Sequence, residues 1–238
     1  MPPNRCASPS LFSAEAAGTD KRSWRKRIYH FHSMVRDGLP FVLIPLGCAF
    51  LATAFGYWWL ALPLILLAAF MAFFFRDPQR TVPGEANIVV APADGRVTRV
   101  GPIVPAQPDS PNVVSIFLSP FDVHINRAPI AGEIIDVTHT RGRFLMATRA
   151  EASLVNEQNA LTIRGERITV VCRQIAGILA RRIVCWKRTG DTVGLGERFG
   201  LIKFSSRTDV VLPPEVELIV RAGERVRGGV SIIGRIRV

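Results

Sequence analysis

The chain has 238 residues, 48% of them hydrophobic, and a formal net charge of +11 from 30 Lys and Arg against 19 Asp and Glu. This length allows one sizeable domain, or a smaller domain with an anchor. High apolar content combined with high positive charge argues against an ordinary soluble enzyme and favours work at an anionic surface, either nucleic acid or membrane. The four cysteines form no CxxC pair, so neither a metal site nor a disulfide framework is predicted.

The N-terminal segment, residues 1–37, is predicted to be disordered and basic. Residues 1–20 are rich in Pro, Ser, Ala and Gly without periodicity, which is typical of disorder. Residues 21–36 then carry six Lys and Arg and no acidic side chain. Met34 is an alternative start to Met1, and the sequence leaves both open.

Residues 38–76 are predicted to form a membrane-anchoring helical hairpin. From Pro40 to Phe75 there are 36 residues without a charged side chain. One helix of that length would measure about 54 Å, against a hydrocarbon core of roughly 30 Å. A break at Gly56-Tyr57 gives two short helices, and the basic flanks on both sides predict cytoplasmic ends. Two short spans and a re-entrant wedge both fit, and a buried helical pair in a soluble core is the less favoured reading.

Residues 77–238 predict a β-rich domain, so the fold class is α+β and β-dominated. Short runs rich in Val and Ile, separated by Gly and Pro, indicate strands. They read "NIVVAPADGRVTRVG", "NVVSIFL", "GEIIDVTHT", "NALTIRG", "RITVVCRQIAG" and "VELIVRAG". The best helix candidate is short, over residues 144–155.

An internal echo lies near the C-terminus. The pattern R-x-G-[DE]-x-V-x-x-G occurs at 188–196 and again at 221–229, a spacing of 33 residues. A turn glycine, an acidic residue and an inward apolar side chain predict a twisted β-hairpin used twice, as in lipoyl- and biotinyl-like barrels.

Four residues are candidates for chemistry. His124 follows a strand in a loop that Ser119-Pro120 opens, a position typical of functional histidines, although a structural role is equally open. Asp94 lies in an Asp-Gly pair that could merely form a turn. Ser205 and Ser206 interrupt two apolar runs, and no G-x-S-x-G elbow surrounds them.

Taken together, several stretches resemble the short, prokaryotic-type phosphatidylserine decarboxylases. They run in family order over residues 40–238 and read "FFFRDPQR", "VVAPADGRV", "FLSPFDVHINRAP", "NEQN", "RQIAG" and "GERFGLIKFSSRTDVVLP". The resemblance implies an enzyme that converts phosphatidylserine to phosphatidylethanolamine at the cytoplasmic side of the inner (cell) membrane. Its implied partners are phosphatidylserine and the anionic membrane.

The resemblance also implies self-processing. Members are made as proenzymes that cut themselves before a serine, which here is Ser206, and the new N-terminus becomes a covalent pyruvoyl cofactor. The products would be a large chain of residues 1–205 and a small chain of residues 206–238, held as a heterodimer, with a homo-oligomer left open. His124, oriented by Asp94, would take the serine proton, and His124 would later handle protons in the decarboxylation.

Two departures from the family pattern keep alternatives open. Ser205 stands where the family has glycine, so an unprocessed pseudoenzyme is one alternative. Arg127 stands where longer members carry a second histidine. A non-catalytic lipoyl-like carrier is the other alternative, but carriers need a lysine at a hairpin tip and Lys203 lies in an apolar run. No nucleic-acid recognition motif is present, so no nucleic-acid partner is predicted.

Overall fold

The computed structural model describes residues 34–238, apart from residues 106, 108, 150, 179–181, 205 and 238. The predictions for residues 1–33, including the start at Met1, therefore lie outside the described residues. Ser205, on one side of the predicted cut, lies outside them too. The described residues all belong to one compact unit.

Two apolar helices open the described chain. A 3-10 turn at Arg36–Gly38 leads into α1, Leu39–Ala54, and α2 follows at Trp58–Phe74. The predicted break lies in the turn between them, where Gly56 takes a φ of +84° that suits glycine. The two helices pack against each other, yet most of their large apolar side chains are exposed. Such a surface needs a partner that the described residues do not supply.

Only one of the two helical segments is long enough by itself to cross a bilayer. Arg36–Ala54 passes that test of length and hydropathy, whereas Trp58–Phe74, with 17 residues, is shorter. Each helix contains an internal proline, Pro45 and Pro63 respectively, which removes one backbone hydrogen-bond donor.

The rest of the described chain is β-dominated, as predicted. Its first seven strands are β1 (Ile88–Val90), β2 (Gly95–Pro102), β3 (Asn112–Leu118), β4 (Ile125–Arg127), β5 (Gly132–Thr140), β6 (Gln158–Arg164) and β7 (Thr169–Ala176). The next seven are β8 (Arg182–Cys185), β9 (Thr192–Val193), β10 (Arg198–Lys203), β11 (Ser206–Leu212), β12 (Val216–Leu218), β13 (Arg225–Val226) and β14 (Ile232–Ile236). One short helix, α3, Ala152–Val155, falls inside the predicted helix candidate.

The strands form three antiparallel sheets. The largest has the order β13-β2-β3-β11-β7-β6-β5-β9 and curls into a half-barrel, and the two smaller sheets have the orders β1-β14-β12 and β4-β10-β8. Alternate side chains of the long strands bury one continuous apolar core, which includes Ile116, Leu161 and Val210. The predicted strands at 112–118 and 132–140 coincide with β3 and β5, whereas β4 and β8 were not predicted.

The repeated pattern forms two equivalent turns. Gly190 donates a backbone hydrogen bond to the carbonyl of Ile134 in β5, and Gly223 donates one to the carbonyl of Val97 in β2, each at 2.8 Å. The strands that receive the two turns carry a second echo, A-P-x-x-G-x-[VI], at 91–97 and 128–134. The domain is therefore built around a duplicated unit, of which sequence reasoning found only the turn half.

The two copies meet at their closing glycines. Gly196 and Gly229 have φ values of +70° and +73°, which L side chains rarely adopt. A Cβ at either position would lie 3.4 Å from the Cα of the other. The β1–β2 loop also contacts the second turn, because Gly229 donates a backbone hydrogen bond to the carbonyl of Ala91 at 2.8 Å.

Candidate active site

Ser206 opens β11 at the centre of the largest sheet. It pairs with Leu118 of β3 on one side and Ala176 of β7 on the other, and its side chain is completely buried. Because strand side chains alternate, Ser206 projects to the same face as Val210, which belongs to the apolar core. The hydroxyl has no hydrogen-bond partner among the described residues. A buried polar atom without a partner is uncommon and calls for an explanation.

His124 lies in the loop between β3 and β4 and is only 2% exposed. Its Nδ1 lies 2.9 Å from the backbone carbonyl of Asp122. A carbonyl can only accept, so Nδ1 carries the proton and Nε2 keeps its lone pair. Burial lowers the pKa of His124 from 6.5 to about 4, against smaller opposing effects of the Asp122 carbonyl and carboxylate. The ring is therefore neutral at pH 7 and able to accept a proton at Nε2.

The Nε2 atom of His124, like the Ser206 hydroxyl, is buried and has no partner among the described residues. The topology brings the two residues into one region. Leu118, the register partner of Ser206, is six residues before His124, and the His124 carbonyl accepts a hydrogen bond from Ile202, four residues before Ser206. An unused base and an unused hydroxyl thus occupy the same corner of the domain.

Aromatic rings connect this corner to the helical pair. Phe74, at the end of α2, is fully buried, with its ring centroid 4.1 Å from that of His124 and 4.7 Å from that of Phe204. Phe204 has a φ of +62°, a costly conformation for a bulky residue, immediately after β10 ends. The chain changes from one sheet to another at this point, two residues before Ser206.

Asp94 is held by two donors. The side chain of Arg80 donates to its Oδ2 at 2.6 Å, and the backbone N–H of Gly228 donates to its Oδ1 at 2.8 Å. Burial raises the pKa of Asp94, and both donors oppose that effect. No hydrogen bond joins Asp94 to His124 among the described contacts; the carbonyl of Asp122, rather than the Asp94 carboxylate, orients the imidazole.

Asp94 nevertheless shares an electrostatic neighbourhood with the histidine. The charges of Arg76 and Asp122 both act on His124, and the Asp122 charge also raises the pKa of Asp94. Arg76 donates hydrogen bonds from its guanidinium to the carbonyls of Phe73 and Phe121, which ties the end of α2 to the His124 loop.

Arg127, one of the two departures from the family pattern that the sequence resembles, is a buried structural cation. It lies 3.3 Å from Asp77 and donates further hydrogen bonds to the carbonyls of Gly196 and Pro78. Asp77 also pairs with Arg198 at 2.8 Å. With these partners Arg127 joins the segment after α2 to the first repeated turn.

A buried amide chain supports the strand that starts at Ser206. Asn126 donates to the hydroxyl of Thr208, Gln174 donates to Asn126, and Asn159 donates to Gln174, at distances of 2.9 to 3.1 Å. Thr208 lies on the same face of β11 as Ser206, two residues further on. On the opposite face, Arg207 pairs with Asp209 at 2.8 Å.

The structure thus brings Ser206 and His124 together in one buried corner and places Asp94 at its edge, while Ser205 is outside the described residues. Among the described residues, no group of three or more His, Cys, Asp and Glu side chains is placed to hold a metal ion. Sequence reasoning missed three contributors, Phe74, Phe204 and the carbonyl of Asp122. The last of these belongs to the Phe-Asp-Val-His motif at residues 121–124, which ends at His124.

Comparison with known proteins gives a consistent family. The profile of the family described as "Phosphatidylserine decarboxylase" matches residues 67–234, more than half of the chain.

Three relatives named "Phosphatidylserine decarboxylase proenzyme" are similar over most of their length. The protein from Solibacter usitatus is 53% identical over 175 residues, which cover 74% of this chain and 83% of the relative. The protein from Symbiobacterium thermophilum is 46% identical over 213 residues, 85% and 95% of the two chains. The protein from Carboxydothermus hydrogenoformans is 42% identical over 207 residues, 86% and 97% of the two chains.

Proposed function

We propose that this chain, which belongs to the phosphatidylserine decarboxylase family and is an enzyme of that kind, matures by cutting its own backbone before Ser206. The cut chain then converts phosphatidylserine to phosphatidylethanolamine. The name "proenzyme" of the relatives supports a maturation step, and the family supports the substrate.

One observation carries the proposal. The hydroxyl of Ser206 and the Nε2 of His124 are both buried and both unpartnered, in a corner where the chain has just passed through a left-handed Phe204. Such unused groups and such backbone strain are concentrated at functional sites.

The cleavage uses residues of this chain alone. The Ser206 oxygen attacks the carbonyl carbon of residue 205 while its proton passes to His124 Nε2, and a C–O bond replaces the C–N bond as His124 returns that proton to the departing nitrogen, which frees the Ser206 amine. Loss of the Ser206 Cα proton then expels the carboxylate of residue 205. Water finally replaces the nitrogen, which leaves as ammonia, and a pyruvoyl group remains at residue 206. The neutral, Nδ1-protonated form of His124 is the one that can accept the first proton.

The site fits a pyruvoyl group. Residue 206 is buried between β3 and β7, so the group would be held by the sheet, and in this proposal His124 moves its protons. The pyruvoyl ketone supplies an electron sink for the electron pair left when carbon dioxide departs. The buried surroundings exclude water from that position.

Asp94 has a positioning role in this proposal. Its contacts with Arg80 and Gly228 fix the segment that leaves α2 against the second repeated turn. Arg76, four residues before Arg80, in turn bonds the loop that presents His124.

We further propose that α1 and α2 place the domain at the inner membrane, on its cytoplasmic side. The exposed apolar side chains of both helices and the basic residues around them support this placement. Each basic residue near an anionic bilayer surface contributes roughly 1 kcal/mol of attraction. The comparisons do not favour a non-catalytic carrier, and Lys203 lies on β10 rather than at a hairpin tip.

The test is the intact mass of the purified protein under denaturing conditions, combined with release of carbon dioxide from phosphatidylserine. We expect a small chain that starts at residue 206 and is lighter than its sequence by one ammonia. Ser206→Ala and His124→Ala should remain uncut. The matched control is Ser110→Ala, because Ser110 is also buried but lies beyond the far end of β3 from Ser206. An active wild-type chain that keeps an intact Ser206 would refute the proposal.

A further inference from the structure

A pocket of about 850 Å³ opens beside the predicted cut. Phe204 and Lys203 line it from the end of β10, Arg182 lines it from β8, and Asp37 and Phe41 line it from the start of the helical pair. The pocket therefore lies where the domain meets the helices. Lys203 in its lining is three residues before Ser206 in the sequence. None of its polar side chains has a part in the cleavage chemistry.

Lys203 is a buried cation that faces this pocket. It is only 8% exposed, and no anion lies within 4 Å of its ammonium among the described residues. Its Nζ lies 5.0 Å from the centre of the Phe41 ring. Burial lowers the pKa of Lys203, an effect that Asp37 opposes at longer range. A buried charge without an ion pair is costly unless a ligand supplies the counter-charge.

A second cation lies directly beside it. Lys203 and Arg182 are register partners on the neighbouring strands β10 and β8. Like charges directly opposite each other destabilise a sheet. Among the described residues that line the pocket, Asp37 is the one acid, and it accepts a hydrogen bond from the indole of Trp186 at 3.2 Å. The described lining, with two cations and one acid, therefore carries a net positive charge.

An apolar groove continues from the same pocket. It measures about 220 Å³ and lies between α1 and α2, lined by Ile44, Pro45, Leu67 and Met71 together with Pro40 and Phe41. The last two residues also line the first pocket. A cationic pocket thus joins an apolar groove. An anionic phospholipid has the matching arrangement, with a negatively charged headgroup joined to apolar acyl chains.

We propose that the joined pocket and groove bind one anionic phospholipid, with its phosphodiester on Lys203 and Arg182 and an acyl chain along the groove between α1 and α2. This inference rests on the proposed function, for which it identifies the groups that hold the substrate. Lys203 is three residues before residue 206, which limits the separation of their Cα atoms to about 10 Å, and in this proposal the serine end of the headgroup points towards residue 206. Selection for an anionic lipid then comes from Lys203 and Arg182, not from the residues that act on the scissile bond.

The experiment measures binding in the uncut Ser206→Ala chain, so that no turnover occurs. Short-chain dihexanoyl phosphatidylserine is titrated calorimetrically into the full-length protein in detergent, and inorganic phosphate and glycerophosphoserine are titrated separately. A charge-assisted hydrogen bond of a buried donor corresponds to at least about a tenfold change in affinity. We expect Lys203→Gln to weaken lipid binding about tenfold or more, Lys203→Arg to retain most of it, and Arg182→Gln to weaken it about threefold.

The control variant is Arg221→Gln, which removes an exposed arginine of the second repeated turn and should leave binding unchanged. Equal affinity of the parent and both glutamine variants would overturn the inference. So would equal affinity for inorganic phosphate and for the lipid, because the groove would then contribute nothing. Weaker binding of glycerophosphoserine than of the lipid supports the groove. If Lys203→Gln fails to fold, the Arg182→Gln titration decides.

The two proposals fail in different ways. Carbon dioxide release and intact mass of the wild-type chain report the proposed function, whereas calorimetry on the uncut variant reports the lipid site. A wild-type chain that is cut and active, combined with glutamine variants that bind normally, would overturn the lipid site alone.

Discussion

Acidification should destabilise this protein through His124. In the folded chain burial lowers the pKa of His124 to about 4, whereas an unfolded histidine titrates near 6.5. As the pH falls from about 6.5 to about 4, His124 binds a proton in the unfolded state but not in the folded state. The contribution of the neutral His124 to the free energy of unfolding is therefore fully present above about pH 6.5 and is lost progressively towards pH 4. The full loss is about 3 kcal/mol, and about 2 kcal/mol of it should be lost by pH 5.

The assay is urea unfolding in detergent at pH 7.5 and at pH 5.0, in a Ser206→Ala background that keeps the chain uncut. Other titrating groups contribute equally to closely matched variants, so the informative quantity is a difference. We expect His124→Gln to remove about 2 kcal/mol of the pH dependence that the background shows.

The matched control is His139→Gln, since His139 is about half-exposed and lies on β5, 3.8 Å from Glu157. That variant separates the effect of removing a buried imidazole from the effect of removing any imidazole. If His124→Gln and the background lost the same free energy between the two pH values, the buried, neutral imidazole would be refuted, and with it the argument that Nε2 is ready to accept a proton at pH 7.

Three further predictions concern residues around the cut. Ser205→Gly should shorten the half-time of cleavage followed by denaturing gels, because glycine leaves its carbonyl less hindered; an unchanged half-time contradicts this. Asp94→Asn should lower the free energy of unfolding by about 2 kcal/mol, since it leaves the partly buried guanidinium of Arg80 without its counter-charge. Its control, Glu133→Gln, breaks an exposed ion pair and should change that free energy by less than about 1 kcal/mol, so equal losses would argue against a stabilising Asp94–Arg80 pair. Phe74→Ala should cost about 3 to 5 kcal/mol in the same urea assay, because it empties a fully buried position between two rings. A loss below about 1 kcal/mol would show that the stack does not hold α2 to the domain.

The strands and turns were readable from the sequence because they depend on local patterns. Alternating Val and Ile between glycines predicts strands such as β3 and β5, and the repeated R-x-G-[DE] pattern predicts two turns that the structure forms with matching hydrogen bonds. The second echo is harder to predict because its two copies share only Ala, Pro and Gly, followed by Val or Ile, at fixed spacing. Those residues mark the close approach of backbones rather than a hydrophobic face.

The geometry of the site depends on contacts that no local pattern reveals. Phe74 belongs to an apolar run that reads as lipid-facing, and only the packing of the helix end against the domain shows that it covers His124. The Asp94–Arg80 pair spans 14 residues, and each member has an ordinary explanation when taken alone. The role of Asp122 comes from its backbone carbonyl, which side-chain identity cannot predict.

The position of β11 determines what happens to the two halves of a cut chain. A break before Ser206 would leave a fragment of 33 residues that still supplies a central strand of the half-barrel. That strand, β11, is hydrogen-bonded to β3 on one side and to β7 on the other. The same fragment supplies β12, β13 and β14, which are spread over two sheets. The two chains of a cut protein would therefore stay associated through their shared sheets. The new N-terminus would remain buried in the domain, and separating the chains would require the domain to unfold.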